Sequence, residues 1–327
     1  MKRNRFFYAL AILTAVILVA FGVGHGLMRH IEGQAVERDS AVLLYIEPGW
    51  SVRDVAREAE SLGLVRHAWH FRLISRWKSA DRFLFAGEYE IAPDANLGAL
   101  LAQIRNQKTY KRRLVVPEGA SVREVEEILA SSFGLDMTGF QQPPEGSLLP
   151  ETYFYERGDK AVQLISRMQD AMTTSLDAIW ATRASDLPFY SVDEALILAS
   201  IIEKETAVPS ERRQVAAVFI NRLKKNMRLQ TDPTVIYGIT NGLPLGRALT
   251  RSDLQTDTPY NTYRRRGLPP TAIANPGRAS IEAAVNPAAV SYLYFVADGT
   301  GGHAFADTLE EHNRNVARWR QIQKDTR

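Results

Sequence analysis

A chain of 327 residues with 45% apolar and 24% charged residues, 15 Pro and 21 Gly, has ordinary globular composition and room for about two domains. That excludes disorder or a repeat array as the main architecture, and the absence of cysteine excludes disulfides, thiolate metal sites, a catalytic thiol and dithiol redox chemistry. Of the 40 basic residues, Lys2, Arg3 and Arg5 precede the first apolar run and the other 37 balance 37 acids, so the formal charge of +3 carries no nucleic-acid signal.

From Phe6 to Gly24 there are 19 residues without a charge. At about 1.5 Å per residue this helix crosses a hydrocarbon layer of about 30 Å. A cleaved signal peptide has a shorter apolar core and a small-x-small site after it, so the run reads as an uncleaved anchor. The basic residues on its short N-terminal side place that end in the cytoplasm and the bulk of the chain outside. Arg29 to Ser40 is polar without a strong period and reads as a stalk or frayed helix end that sets distance.

Val42 to Ile46 reads as a short strand stopped by Pro48-Gly49. Ser51 then caps a helix of spacing Val52, Val55, Ala56, Ala59, Leu62, ended by Gly63. A second helix fits Ala68 to Trp77, an extended return fits Phe83, Phe85, Tyr89 and Ile91, and Leu97 to Ile104 is a further short helix. The order of the first four is strand, helix, helix, strand. Residues 46–55 recur with five identities at 116–125, both reading as strand, Gly turn, Ser cap and amphipathic helix; a common backbone demand explains this more simply than a duplicated module.

Beyond residue 145, Glu145 to Tyr155 reads as turn and short strand, and Ala161 to Trp180 as an amphipathic helix. Ser191-Val192-Asp193-Glu194 is a capping box that starts a helix at Val192. Its body, Ala195 to Ile202, is apolar around the whole circumference and therefore buried, and it ends in Glu203-Lys204-Glu205. The two carboxylates lie about 160° apart, so at least one emerges beside packed apolar surface. There desolvation favours the neutral form, as a general acid at neutral pH requires. The plainer alternative is a helix leaving the core, with Lys204 and Arg212 or Arg213 as partners; helical geometry does not choose between Glu203 and Glu205. Ser200 with His303 makes a poor nucleophile and base, because no nucleophile-elbow pattern surrounds the serine. The six histidines lack zinc-type spacing. Arg228 to Pro276 is long, aromatic and Pro-rich, suited to lining a groove.

The strings Leu198-Ala199-Ser200-Ile201-Ile202-Glu203-Lys204-Glu205-Thr206 and Arg228 to Gly238 (RLQTDPTVIYG) resemble the endolytic murein transglycosylases, the MltG or YceG-like family. So do Tyr260-Asn261-Thr262-Tyr263, Gly267-Leu268-Pro269-Pro270, Ile273-Ala274-Asn275-Pro276-Gly277, Tyr292 to Gly299 and Gly302-His303-Ala304-Phe305. Leu149-Pro150-Glu151 departs from the usual Phe-Pro-Asp, leaving the role of Glu151 open.

The resemblance implies an α+β chain: a cytoplasmic end at 1–5, a transmembrane helix at 6–26, a linker at 27–40, a small LysM-like βααβ module at 41–115 and a larger mixed α+β catalytic domain at 116–327. It implies a lyase of the inner membrane, single-pass, with its catalytic domain periplasmic or otherwise extracytoplasmic. This enzyme cuts MurNAc-β-1,4-GlcNAc bonds in nascent peptidoglycan and leaves 1,6-anhydroMurNAc ends, terminating strand elongation. The expected partners are glycan strands, the membrane and peptidoglycan synthases, and no nucleic acid. The first Glu of Glu-Lys-Glu, Glu203, is then the catalytic acid, with Glu205 and Ser200 in support. Gln230, Thr231, Asp232, Tyr237, Asn261 and Tyr263 are candidates for holding sugar. The attacking group is the substrate's own 6-hydroxyl, so neither metal nor organic cofactor is needed. Two other readings are a lysozyme-like muramidase using water with a second carboxylate, and a non-catalytic peptidoglycan-binding scaffold.

Overall fold

The computed structural model describes residues 2–80 and 84–325; Phe83, expected in an extended return, lies outside them. The chain divides into two compact units, Met1–Arg112 and Arg113–Arg327.

The first unit opens with helix α1 (Lys2–Gly33). Phe7 to Gly33 is long and apolar enough to cross a membrane. Leu10, Ile12, Leu13, Val16 and Phe21 are all at least half exposed, so these side chains lack protein cover and call for an apolar surrounding. Then come strand β1 (Val42–Ile46), helices α2 (Val52–Ser61) and α3 (Ala68–Trp77), strand β2 (Gly87–Ile91) and helix α4 (Leu97–Arg105). The strand, helix, helix, strand order is as read from the periodicity. β1 and β2 pair antiparallel with Leu44 opposite Tyr89, and both are fully buried. Phe71, Ile74, Leu100 and Ile104 complete the core.

The supposed stalk is different from its reading. α1 continues to Gly33, and Ile31 is buried in the same core. Ala35 bridges to Asn96, and Arg38 donates to the carbonyls of Gly63 and Ala92 at 3.2 and 2.6 Å. The segment is polar because its partners are backbone carbonyls, which leave no period in a sequence.

The second unit carries strand β3 (Arg112–Val115, starting at the boundary), helix α5 (Val122–Ser131), strand β4 (Thr152–Tyr155) paired with β3, and helix α6 (Ala161–Trp180). Helix α7 (Val192–Glu205) follows, then a 3₁₀ turn (Pro209–Glu211), helices α8 (Arg212–Lys224), α9 (Asp232–Thr240), α10 (Arg251–Gln255) and α11 (Arg278–Val285), the hairpin β5 (Tyr294–Ala297) and β6 (His303–Ala306), and helix α12 (Leu309–Asp325). The echo at 46–55 and 116–125 is a shared backbone device. Gly49 and Gly119 both hold positive φ (88° and 76°) in turns that L side chains rarely adopt, and Ser51 and Ser121 both cap helices with an acid at the third position.

α7 is the spine of this unit, packed by α6, α8, α9 and α11. Its capping box forms as the sequence requires, with Ser191 Oγ accepting the Glu194 N–H at 3.2 Å. Leu198, Ala199, Ser200, Ile201 and Ile202 are fully buried. From the stretch 228–276, Leu229, Tyr237 and Ile273 are buried in the same core as α7, with Tyr260 and Leu268 packed against it. Asn275, fully buried, ties three segments: its Oδ1 accepts the Leu148 N–H at 3.0 Å and its Nδ2 donates to the Ala120 carbonyl at 2.9 Å.

Candidate active site

The helical geometry that separates Glu203 from Glu205 decides where each goes. Glu203 is buried by α11: its side chain is 7% exposed, its Oε2 accepts the Gly277 N–H at 2.9 Å, and its Oε1 faces the Arg212 guanidinium at 3.8 Å. Arg212 also faces Glu118 at 3.6 Å, while Lys204 donates to the Gly119 carbonyl at 3.1 Å. The Glu203 carboxylate is thus committed to protein donors that hold the start of α11.

Glu205 ends in a cavity of about 520 Å³. Its wall includes Gln230, Asp232 and Tyr263 from the aromatic stretch, Arg222 and Phe219 from α8, and Tyr294 and His312 beyond. Thr231 Oγ1 donates to Glu205 Oε1 in a short hydrogen bond. Burial is the main influence on this carboxyl and pushes its pKa up. Asp232 adds to the rise, whereas the Thr231 bond, His303 and Arg222 oppose it. Burial at the edge of a cavity favours the neutral, proton-donating form of this carboxyl.

Around it the groups are preorganised. Tyr263 donates its hydroxyl to Asp232 Oδ1 at 2.6 Å. Burial, and then that bond, raise the tyrosine pKa, so the phenol stays a donor. Arg222 is 8% exposed, donates to the carbonyls of Leu293 and Leu229 at 2.7 Å each, and lies 5.2 Å over the Tyr294 ring. Tyr294 stacks on His312 at 5.2 Å. Glu211 grips His303 at two points, accepting its backbone N–H at 2.9 Å and meeting Nδ1 at 2.7 Å.

The candidate residues therefore divide. Gln230, Asp232 and Tyr263 line the cavity with Glu205, and Thr231 touches the carboxyl directly. Tyr237 does not line it: the residue is buried, its ring meets Tyr260 at 4.9 Å, and its hydroxyl lies beside Glu145, whose pKa burial raises. Asn261 is fully buried and spends its amide on the loop, donating to the Leu254 and Thr256 carbonyls and accepting the Tyr263 N–H. Ser200 Oγ donates to the Ile197 carbonyl at 2.7 Å and accepts the Ile273 N–H at 3.0 Å, so it supports packing. Glu151 meets Arg278 at 3.7 Å with both side chains half-exposed.

Arg222, Tyr294 and His312 were not among the residues read from the sequence. Arg222 leaves one signal: a cation two residues after the fully apolar run Val215 to Ile220 of α8. Tyr294 lies in the string Tyr292 to Gly299 that carries the resemblance but has no role marked there, and His312 leaves no signal, since a helix histidine reads as ordinary packing.

The chain matches the YceG-like family over residues 44–318 and belongs to it. It is 32% identical over 314 residues to a Bacillus subtilis (strain 168) protein named endolytic murein transglycosylase, covering 86% of each chain. A Streptococcus pneumoniae (strain D39) protein of the same name is 27% identical over 325 residues, covering 84% of this chain, which spans 58% of that relative's length. A 2.6 Å crystal structure of a yceG-like protein from Listeria monocytogenes is similar at a TM-score of 0.52 and 30% identity, covering 85% of this chain and 99% of that one.

Proposed function

We propose that this protein is a membrane-anchored lytic transglycosylase that cleaves MurNAc-β-1,4-GlcNAc bonds inside nascent peptidoglycan strands, with Glu205 rather than Glu203 as its acid and base. The observation that carries the assignment is the position of Glu205, buried at the edge of the cavity that Gln230, Asp232 and Tyr263 also line. Glu203 bonds Gly277 and faces Arg212 instead.

In the first half-reaction the protonated Glu205 gives its proton to the glycosidic oxygen as the C1–O4 bond breaks and the muramoyl C1 becomes oxocarbenium-like. The new carboxylate is held by Thr231 Oγ1 and stands in the field of Arg222 and His303. In the second half-reaction it takes the proton from the sugar's 6-hydroxyl as O6 closes on C1. One proton moves from O6 to O4 through one carboxylate, and water takes no part. Gln230 and the Tyr263–Asp232 pair offer an amide, a phenol and a carboxylate to sugar hydroxyl and N-acetyl groups.

The first unit fits the LysM-like role by its two helices packed on an antiparallel strand pair. Lys2, Arg3 and Arg5 favour a cytoplasmic N-terminus. The part of the first unit beyond α1 and the second unit then stand outside the inner membrane, where the enzyme terminates elongation beside peptidoglycan synthases. Mass spectrometry of the products from purified glycan strands tests the reaction. Anhydro ends, lighter by one water than hydrolysed ends, are expected. Reducing ends would assign a muramidase in which Asp232 assists water, and binding without cleavage would assign a scaffold.

A further inference from the structure

The segment Arg66–Lys78 (RHAWHFRLISRWK) holds four Arg or Lys, two His and no carboxylate. Most of it is α3, whose Phe71 and Ile74 face the core of the first unit while Arg72, Arg76 and Trp77 are exposed. The C-terminal end of this helix is fastened to α1. The Trp77 ring meets the His25 ring edge-on at 5.5 Å, and Lys78 pairs with Glu32.

His25 is the residue directly after the uncharged run that ends at Gly24. Trp77 is thereby held at the level where an apolar span meets water, the depth that suits an indole with one apolar and one polar edge. Arg29 lies one turn above His25 on α1 and is exposed. The only acid on α1 beyond the run, Glu32, is taken by Lys78. Among the described residues Arg29, Arg72 and Arg76 have no carboxylate partner.

We propose that Trp77, Arg72 and Arg76 on α3, with Arg29 on α1, form a docking surface for the anionic headgroups of the membrane that α1 spans. This rests on the reading of α1 as a span. Its charge favours anionic lipid, since each cation held at such a surface multiplies docking by roughly fivefold. Its consequence is that the first unit lies on the bilayer and is not free to swing on a stalk.

The protein has no cysteine, which makes single labelling sites clean. The full chain carrying Ser79→Cys, beside the end of α3 and exposed, labelled with an environment-sensitive fluorophore, is inserted in nanodiscs that contain headgroup-level nitroxide lipid. The expected result is strong quenching in discs rich in phosphatidylglycerol and several-fold less in phosphatidylcholine discs. Adding Arg29→Glu and Arg72→Glu should lower the docked-to-free ratio by more than roughly twentyfold. Equal quenching in the two lipids would overturn the proposal, as would protection of the label by glycan strands with no effect of lipid. A Val16→Cys label reports the span separately through nitroxide deep in the acyl chains. Quenching at Val16 without quenching at residue 79 overturns the docking surface alone; no quenching at Val16 overturns the span and the docking surface with it.

Discussion

At the scale of the residue, Glu203 and Glu205, two positions apart, meet different surroundings because a helix turns about 100° per residue. Helical spacing makes legible that a carboxylate of Glu203-Lys204-Glu205 meets apolar surroundings but does not choose between them; the family resemblance points to Glu203, whereas the proposed acid is Glu205. The deciding contacts, Gly277 with Glu203 and Thr231 with Glu205, lie 74 and 26 residues away. Two outcomes follow from the raised pKa of Glu205. The Thr231 hydroxyl favours the ionised form, so Thr231→Val should raise that pKa further and move the alkaline limb of kcat/KM to higher pH; an unmoved or acid-shifted limb would contradict the pairing. The second concerns stability. The folded pKa lies above the unfolded value near 4.5, so the stability this group contributes is full below pH 4.5 and is lost as pH rises through the folded pKa. Glu205→Gln should therefore leave Tm nearly unchanged at pH 4 and raise it at pH 7, by roughly 2–4 °C for each kcal/mol of relieved ionisation cost. Thermal melts at the two pH values check the sign.

At the scale of the element, periodicity and caps carried most of the fold. The helices at 52–61, 68–77, 161–180 and 192–205 were legible because each has an apolar face or a capping residue at its start. What periodicity missed is held by single polar atoms: the Arg38 contacts of the supposed stalk, the Asn275 tie, and the Ser200 bond to Ile273. These ties make expectations of their own. Ser200→Ala leaves the buried Ile273 N–H without its acceptor and should cost about 1–3 kcal/mol in chemical denaturation. Because the hydroxyl supports packing, turnover in the folded fraction should fall far less than for a Glu205 variant. Ser191→Ala, which removes the cap of α7, should cost about 1 kcal/mol without changing the products cleaved.

At the scale of the whole molecule, the first apolar run marks one helix long and apolar enough to cross a membrane, and motifs spread over most of the length mark the family. The boundary between anchor and first unit was not legible, because the hydrophobic signal fades at Gly24 whereas the helix runs to Gly33 and buries Ile31. A chain beginning at His25 should be soluble and keep the melting behaviour of the first unit. One beginning at Gln34 loses Ile31 and the Glu32–Lys78 pair and should be destabilised by about 2–5 kcal/mol. In the proposed reaction one buried carboxylate, Glu205, carries the proton both ways. The most direct test is the rate at which Glu205→Gln and Glu203→Gln proteins release 1,6-anhydro ends from glycan strands, each compared with the unmodified protein. Glu205→Gln should still bind strands while its rate falls by about 10²–10⁴-fold or more, and Glu203→Gln should keep most of its activity once corrected for the folded fraction. Full release of anhydro ends by the Glu205→Gln protein, or its loss only in the Glu203→Gln protein, would contradict the account.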